Sequence, residues 1–157
     1  MAETRFLTSN VEDHVRGWLG AKFHTTFRKL PLPLSGVRGE PKKHEFDAVS
    51  GDGEIVCGIR TSSWKTSGGK RGSGKVAEAY QEIYFLNLVR ANQRFLVLTD
   101  PEFFERFGRE STGKLVSGVE LLHCPLPGEL LARVEAIRVK AQDEVGGGKS
   151  NEKRSRS

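Results

Sequence analysis

Two consecutive extended runs of this sequence bring one carboxylate and one guanidinium close together in the chain, and a loop of cations follows them. Lys43 to Thr61 reads as two strands joined by a tight turn. Phe46 and Val49 make the first run strand-like, and Ile55, Val56 and Ile59 give the second its apolar, β-branched character. Ser50-Gly51-Asp52-Gly53 between them is turn chemistry. Asp47 lies on the first strand and Arg60 on the second. Residues two apart on a strand share a face, so Gly58 and Arg60 are expected to point the same way. An arginine in that position can grip a phosphate through two parallel hydrogen bonds, but it cannot serve as a base, because a guanidinium keeps its proton in proteins. Past the second strand, Lys65, Lys70, Arg71 and Lys75 stand in a Gly- and Ser-rich loop without an acid. Spare backbone N–H groups and four cations suit such a loop to phosphate oxygens, or simply to water.

The hairpin resembles the metal-binding hairpin of the PD-(D/E)xK nuclease superfamily. That family sets an Asp near the end of one strand and, about ten residues on, an acid-x-Lys on the next. Asp47 matches the first position, and Gly58-Ile59-Arg60 stands where acid-x-Lys belongs. The resemblance implies an α/β fold with a restriction-endonuclease-like core, a central mixed sheet of about five strands flanked by helices. It implies Mg2+ as cofactor, held by Asp47 and a second acid, and DNA as partner. With Gly58 offering no side chain, the second ligand has to come from Glu12, Glu78 or Glu82, or from the Cys57 carbonyl. Glu54 shares Gly58's face but lies too far along the strand, about 13 Å.

The elements around the hairpin follow from periodicity. Ser9 and Glu12 have capping-box spacing, which gives Glu12 a structural role. A helix is expected from about Asn10 to Gly20, with Met1–Thr8 a short lead-in and Gly20 the stop. Lys22–Lys29 alternates like a strand. Leu30-Pro31-Leu32-Pro33-Leu34 is an edge or connector, because proline gives no ladder donor. A long helix should cover Gly74 to Ala91, carrying Glu78 and Glu82. Phe95–Leu98 reads as a buried strand. Asp100-Pro101-Glu102 is an N-cap, a first-turn proline and a first-turn acid. Val119–Cys124 is a further strand, and a last helix runs from Glu129 to about Val145. The resulting order is αβββαβαβα, one domain over residues 1–145 with a disordered basic tail over 146–157.

The whole chain has 157 residues and a formal net charge of +5, which favours an anionic partner. Its two cysteines, Cys57 and Cys124, are too few for a disulfide scaffold and lie in apolar runs, as expected of buried thiols in a cytoplasmic protein. No apolar run suits a membrane span. Gly69–Val76 approaches a P-loop, but Val76 replaces the hydroxyl that magnesium needs.

Three functions stay open. One is a nucleic-acid-binding member of the nuclease fold that has lost or reduced catalysis, using Arg60 and the basic loop. Another is an active Mg2+-dependent endonuclease with a migrated acid, in which Asp47, Arg60, Glu78 and Glu82 are the catalytic candidates and Asp47 and Glu12 the metal candidates. A third is a scaffold or homo-oligomer subunit without nucleic acid. On the first reading, Gly58→Glu with Arg60→Lys should restore cleavage if the scaffold is otherwise intact.

Overall fold

A computed structural model describes residues 2–64 and 73–137, with side chains from residue 9 onward. Their fold is α/β. Helix α1 (Ala2–Phe23) leads into strands β1 (Phe27–Pro33), β2 (Lys43–Ser50) and β3 (Ile55–Arg60); then come α2 (Ser73–Asn87), β4 (Gln93–Leu98), α3 (Pro101–Glu110) and β5 (Val119–His123). A fourth helix occupies residues 128–137. The chain forms two compact units. One is Glu12–Pro125, which holds the whole sheet; the other comprises the described parts of Met1–Val11 and Leu126–Ser157. No helix among the described residues is long and apolar enough to cross a membrane.

The five strands lie in chain order, β1-β2-β3-β4-β5. The first three are antiparallel, and β3, β4 and β5 run parallel. Direct loop connections, a short turn in the case of β2 and β3, suffice for the antiparallel part. The parallel part needs crossovers, which α2 and α3 supply. Both apolar strand runs, Val56–Ile59 and Phe95–Leu98, are buried at the sheet centre, because helices cover both sides of them. Phe23 of α1 stacks on Phe95 at 5.5 Å. A Cβ on Gly58 would point at Glu82 of α2, and Gly58 pairs with Leu96. Neighbouring strand residues alternate faces, so α1 and α2 lie on opposite faces of the sheet. On the α2 side the core gathers Phe46, Val49, Val56, Ile83, Leu86, Leu96, Phe103 and Phe107.

Several boundaries differ from the sequence reading. α1 begins before residue 9, so Ser9 lies inside a helix rather than capping one, and Glu12 is released from the capping box. The helix also runs through Gly20 to Phe23. His24, at φ 57°, ends it in the left-handed region, and the Thr25 N–H donates to the Gly20 carbonyl at 3.2 Å, which is a Schellman closure. Gly20 has another role. A Cβ there would meet the Thr25 carbonyl oxygen at 2.8 Å, so only glycine lets the chain fold back this closely. β1 accordingly begins at Phe27, not Lys22, and it continues through both prolines because it is the sheet edge. α2 stops at Asn87, short of Ala91. The Arg94 guanidinium donates to the Leu86 carbonyl at 3.1 Å and closes the helix end.

Asp100 caps α3 as its sequence indicates. Its Oδ2 accepts the Phe103 N–H at 2.9 Å and the Trp64 N–H at 3.3 Å. Asp100→Ala removes the acceptor of both bonds, and should cost about 2 kcal/mol, at the upper end for a lost cap. Urea denaturation of the variant checks this.

Candidate active site

The site is built on a β-bulge. Arg28 pairs with Val49, and Leu30 with Phe46. Lys29 alone therefore faces both Asp47 and Ala48, and β2 carries the extra residue. This is why Phe46 and Val49, three apart, reach the same core. The β2–β3 ladder holds Val49 to Val56 and Ala48 to Cys57 and goes no further. Asp47 follows at the point where the strands part. Its Oδ2 accepts the Ile59 N–H at 2.8 Å and substitutes for the next ladder bond. Arg16 of α1 donates to the Asp47 carbonyl at 2.9 Å, anchoring the same residue from the other side.

Glu82 fills the space that Gly58 leaves empty. A Cβ built on Gly58 would lie 2.5 Å from Glu82 Cγ, 2.9 Å from Oε1 and 3.1 Å from Cδ. An acidic side chain is thus present over this point of β3, but it reaches there from α2. Glu82 Oε1 is buried without a hydrogen-bond partner. Its Oε2 stands 3.6 Å from His44 Nε2. Burial, and then the charge of Asp47, push Glu82 above the ordinary carboxylate range, while His44 and Arg60 pull the other way. Glu12 of α1 behaves similarly. Burial and the Asp47 charge raise it, and Lys29 and Arg16 oppose them. Asp47 thus acts electrostatically on an acid from each helix.

The other sequence candidates separate. Arg60 does share Gly58's face, since it reaches α2, where its Nη2 donates to Glu78 Oε2. Glu78 is about half exposed and engaged with that arginine. Lys75 lies in the first turn of α2, half-buried. Lys65, Lys70 and Arg71 fall outside the described residues. Glu54 is held at the opposite end of β3 by Asn92. Cys57 and Cys124 are buried free thiols; burial, with the Asp47 charge second, pushes Cys57 up to about 12.

His44, Lys29 and Arg16 are additions that the sequence reading missed. His44 stands three residues before Asp47, yet its role depends on Phe85. The two rings stack at 4.0 Å and 9°, with Phe46 edge-on to His44 at 4.8 Å. Lys29 is distinguished only by the bulge opposite it.

The raised carboxyls predict a pH dependence. A folded-state value above the ordinary 4.5 means that the folded protein binds more protons than the unfolded chain in the window above 4.5, so the Glu82 contribution to stability falls as pH rises through it. The groups facing Glu82 are Asp47 and His44 from β2 and Arg60 from β3. In the presence of chelator, Glu82→Gln should gain stability relative to wild type as pH rises from 4.5 toward neutrality. A pH-independent difference in urea midpoint would contradict this.

Among the described residues, no group of three or more His, Cys, Asp and Glu side chains converges tightly enough to hold a metal ion. What links the acids is the charge of Asp47, which acts on both Glu82 and Glu12. Comparison of the chain with family models, curated proteins and solved structures found no match in any of the three.

Proposed function

We propose that this protein is a metal-dependent phosphodiesterase acting on nucleic acid, in which Glu82 replaces the missing strand acid. The observation that carries this reading is the Glu82 carboxylate occupying the space above Gly58, within reach of the Asp47 charge. Buried acids repelling one another are costly to keep unless they serve something. The donor set suits a hard divalent cation such as Mg2+. That ion retains waters and takes only one or two carboxylates, with substrate phosphate completing its shell. The unpartnered Glu82 Oε1 is what such an ion would use, and Asp47 and Glu82 would hold it. When bound, a divalent ion supplies activated water and neutralises charge on the attacked phosphate.

The remaining residues bind and position. Asp47 is fixed at both ends, by Ile59 N–H at its carboxylate and by Arg16 at its carbonyl. Arg60 binds substrate phosphate after exchanging Glu78 for it. That exchange is cheap, because a partly exposed ion pair contributes only about 0–1 kcal/mol. Glu78→Gln should therefore tighten nucleic-acid binding about threefold at low salt, and Arg60→Gln should weaken it. Fluorescence anisotropy with a labelled oligonucleotide across a salt series measures both.

A binding-only reading is favoured by one observation, the arginine at position 60, which keeps its proton. Incubating DNA and RNA with the protein and Mg2+ or Mn2+, beside Asp47→Asn, separates the two. Cutting that the variant lacks supports the enzyme. Salt-dependent binding without cutting under any of these conditions supports the binding protein.

A further inference from the structure

We propose that the groove where β3 and β4 begin binds a small amphiphilic anion, with a carboxylate or phosphate head and a short apolar body. Such binding is independent of any nuclease activity, because the groove lies at the other end of β3 from Ile59 and Arg60. It has two compartments. A polar one of about 590 Å³ is lined by Ser35, Glu54, Asn87, Arg90, Asn92 and Arg94, among others. An apolar one of about 320 Å³ is walled by Leu32, Pro33, Leu34 and Val89. Arg90 lines both and so stands at their junction. Spaces of this size, with an apolar wall and a few placed polar groups, are typical of small-molecule sites. The charge balance favours an anion. Arg90 and Arg94 are the cations of the wall and Glu54 its acid, and the Asn92 amide already engages Glu54. Neither arginine makes an ion pair among the described residues. The C-terminal carbonyls of α2 would ordinarily repel an anion, but here they are occupied. Arg94 Nη1 donates to the Leu86 and Asn87 carbonyls at 3.1 and 3.4 Å. The Leu88 carbonyl accepts the Ser35 N–H at 2.6 Å and the Ser35 hydroxyl at 2.9 Å. Two residues of the wall keep a buried polar atom without a partner, Asn87 Oδ1 and Arg94 Nε. A guanidinium grips carboxylate and phosphate alike through paired N–H groups, so the shared chemistry of the head is its charge. The compartment beside Arg90 offers an apolar surface that a bare inorganic ion would leave unused.

The test separates head from body. Hexanoate, hexyl phosphate, hexanol, acetate and inorganic phosphate are each titrated into the full chain, followed by calorimetry and by backbone amide shifts. Hexanoate, hexyl phosphate or both should bind and move the amides of Glu54, Val89 and Arg90, and the tighter of the two identifies the head group. The matching short anion, and hexanol, should each bind more weakly by about tenfold or more, since each lacks one half of the interaction. Arg90→Gln should weaken the hexyl anion about tenfold, the scale of one charge-assisted hydrogen bond. Arg90 is exposed, so the variant should keep the wild-type unfolding temperature. Arg109→Gln, at the surface of α3, should leave binding unchanged. Acetate or inorganic phosphate binding as tightly as its hexyl counterpart overturns the proposal, because the apolar compartment would then play no part. Hexanol binding as tightly as the hexyl anions overturns it too, because the arginines would not read the charge. Shifts confined to residues outside the groove, or no binding of either hexyl anion at millimolar concentration, also overturn it. None of these readouts requires nucleic-acid cleavage, so the groove and the nuclease reading stand or fall separately.

Discussion

Glu82→Gln is expected to lower metal-dependent cleavage of nucleic acid by about 10³-fold, the scale on which a group stabilising transition-state charge is missed. The fold should survive. The amide is nearly isosteric, and Glu82 forms no hydrogen bond through Oε1 that the substitution would break. Losing the charge also relieves the burial cost and, second to it, the repulsion with Asp47 that hold the Glu82 carboxyl above its ordinary range, so the variant should be the more stable protein at neutral pH. An inactive yet stabilised variant is the signature of a functional charge, whereas a structural acid would lose stability with its charge. Glu78→Gln is the control, because that acid is engaged with Arg60 at the surface and its loss should leave cleavage largely intact. Parallel measurement of kcat, KM and urea midpoint for the two variants checks both statements. Equal losses in Glu78→Gln and Glu82→Gln would remove the assignment.

The second large effect concerns the strand position itself. Gly58→Glu, which restores the residue type of the resembled signature, is expected to inactivate and destabilise rather than repair. Its Cβ would sit 2.5 Å from Glu82 Cγ, so Glu82 must leave, and two acids would compete for one space beside Asp47. Overpacking of this kind costs about 1–3 kcal/mol before the added charge is counted. The same holds for Gly58→Glu with Arg60→Lys, which the sequence alone suggests as a repair. The corrective partner is Glu82→Ala. With that side chain cut back, the new acid at position 58 occupies the vacated volume, and the double variant should recover stability and part of the cleavage. The pair should therefore be strongly non-additive, as expected of residues in contact. A double variant as poor as the sum of its parts would show that the two positions do not share a role.

Much of the scaffold could be read without coordinates. The order of helices and strands, the β2–β3 hairpin, the buried strand at Phe95–Leu98 and the Asp100 cap all depend on residues close in the chain, where periodicity and turn chemistry act directly. The errors fell where a local signal was outvoted. Ser9 and Glu12 match a capping box, but α1 begins well before them. Gly20 resembles a stop, but its smallness is needed for the return of Thr25.

For the site, the sequence determined the inventory: Asp47 on its strand, a glycine and an arginine on the next, and candidate acids at positions 12, 78 and 82. Tertiary structure decided which of them meet. The bulge opposite Lys29 turns Asp47 out of the ladder, and the parallel crossover lays Glu82 over Gly58 while directing Glu78 to Arg60. The physical reason is that Gly58 and Glu82 lie on different elements, and their contact depends on how α2 packs on the sheet. That packing is set by the apolar face of α2, which carries no information about acids. His44 became visible for the same reason, only when Phe85 closed over its ring.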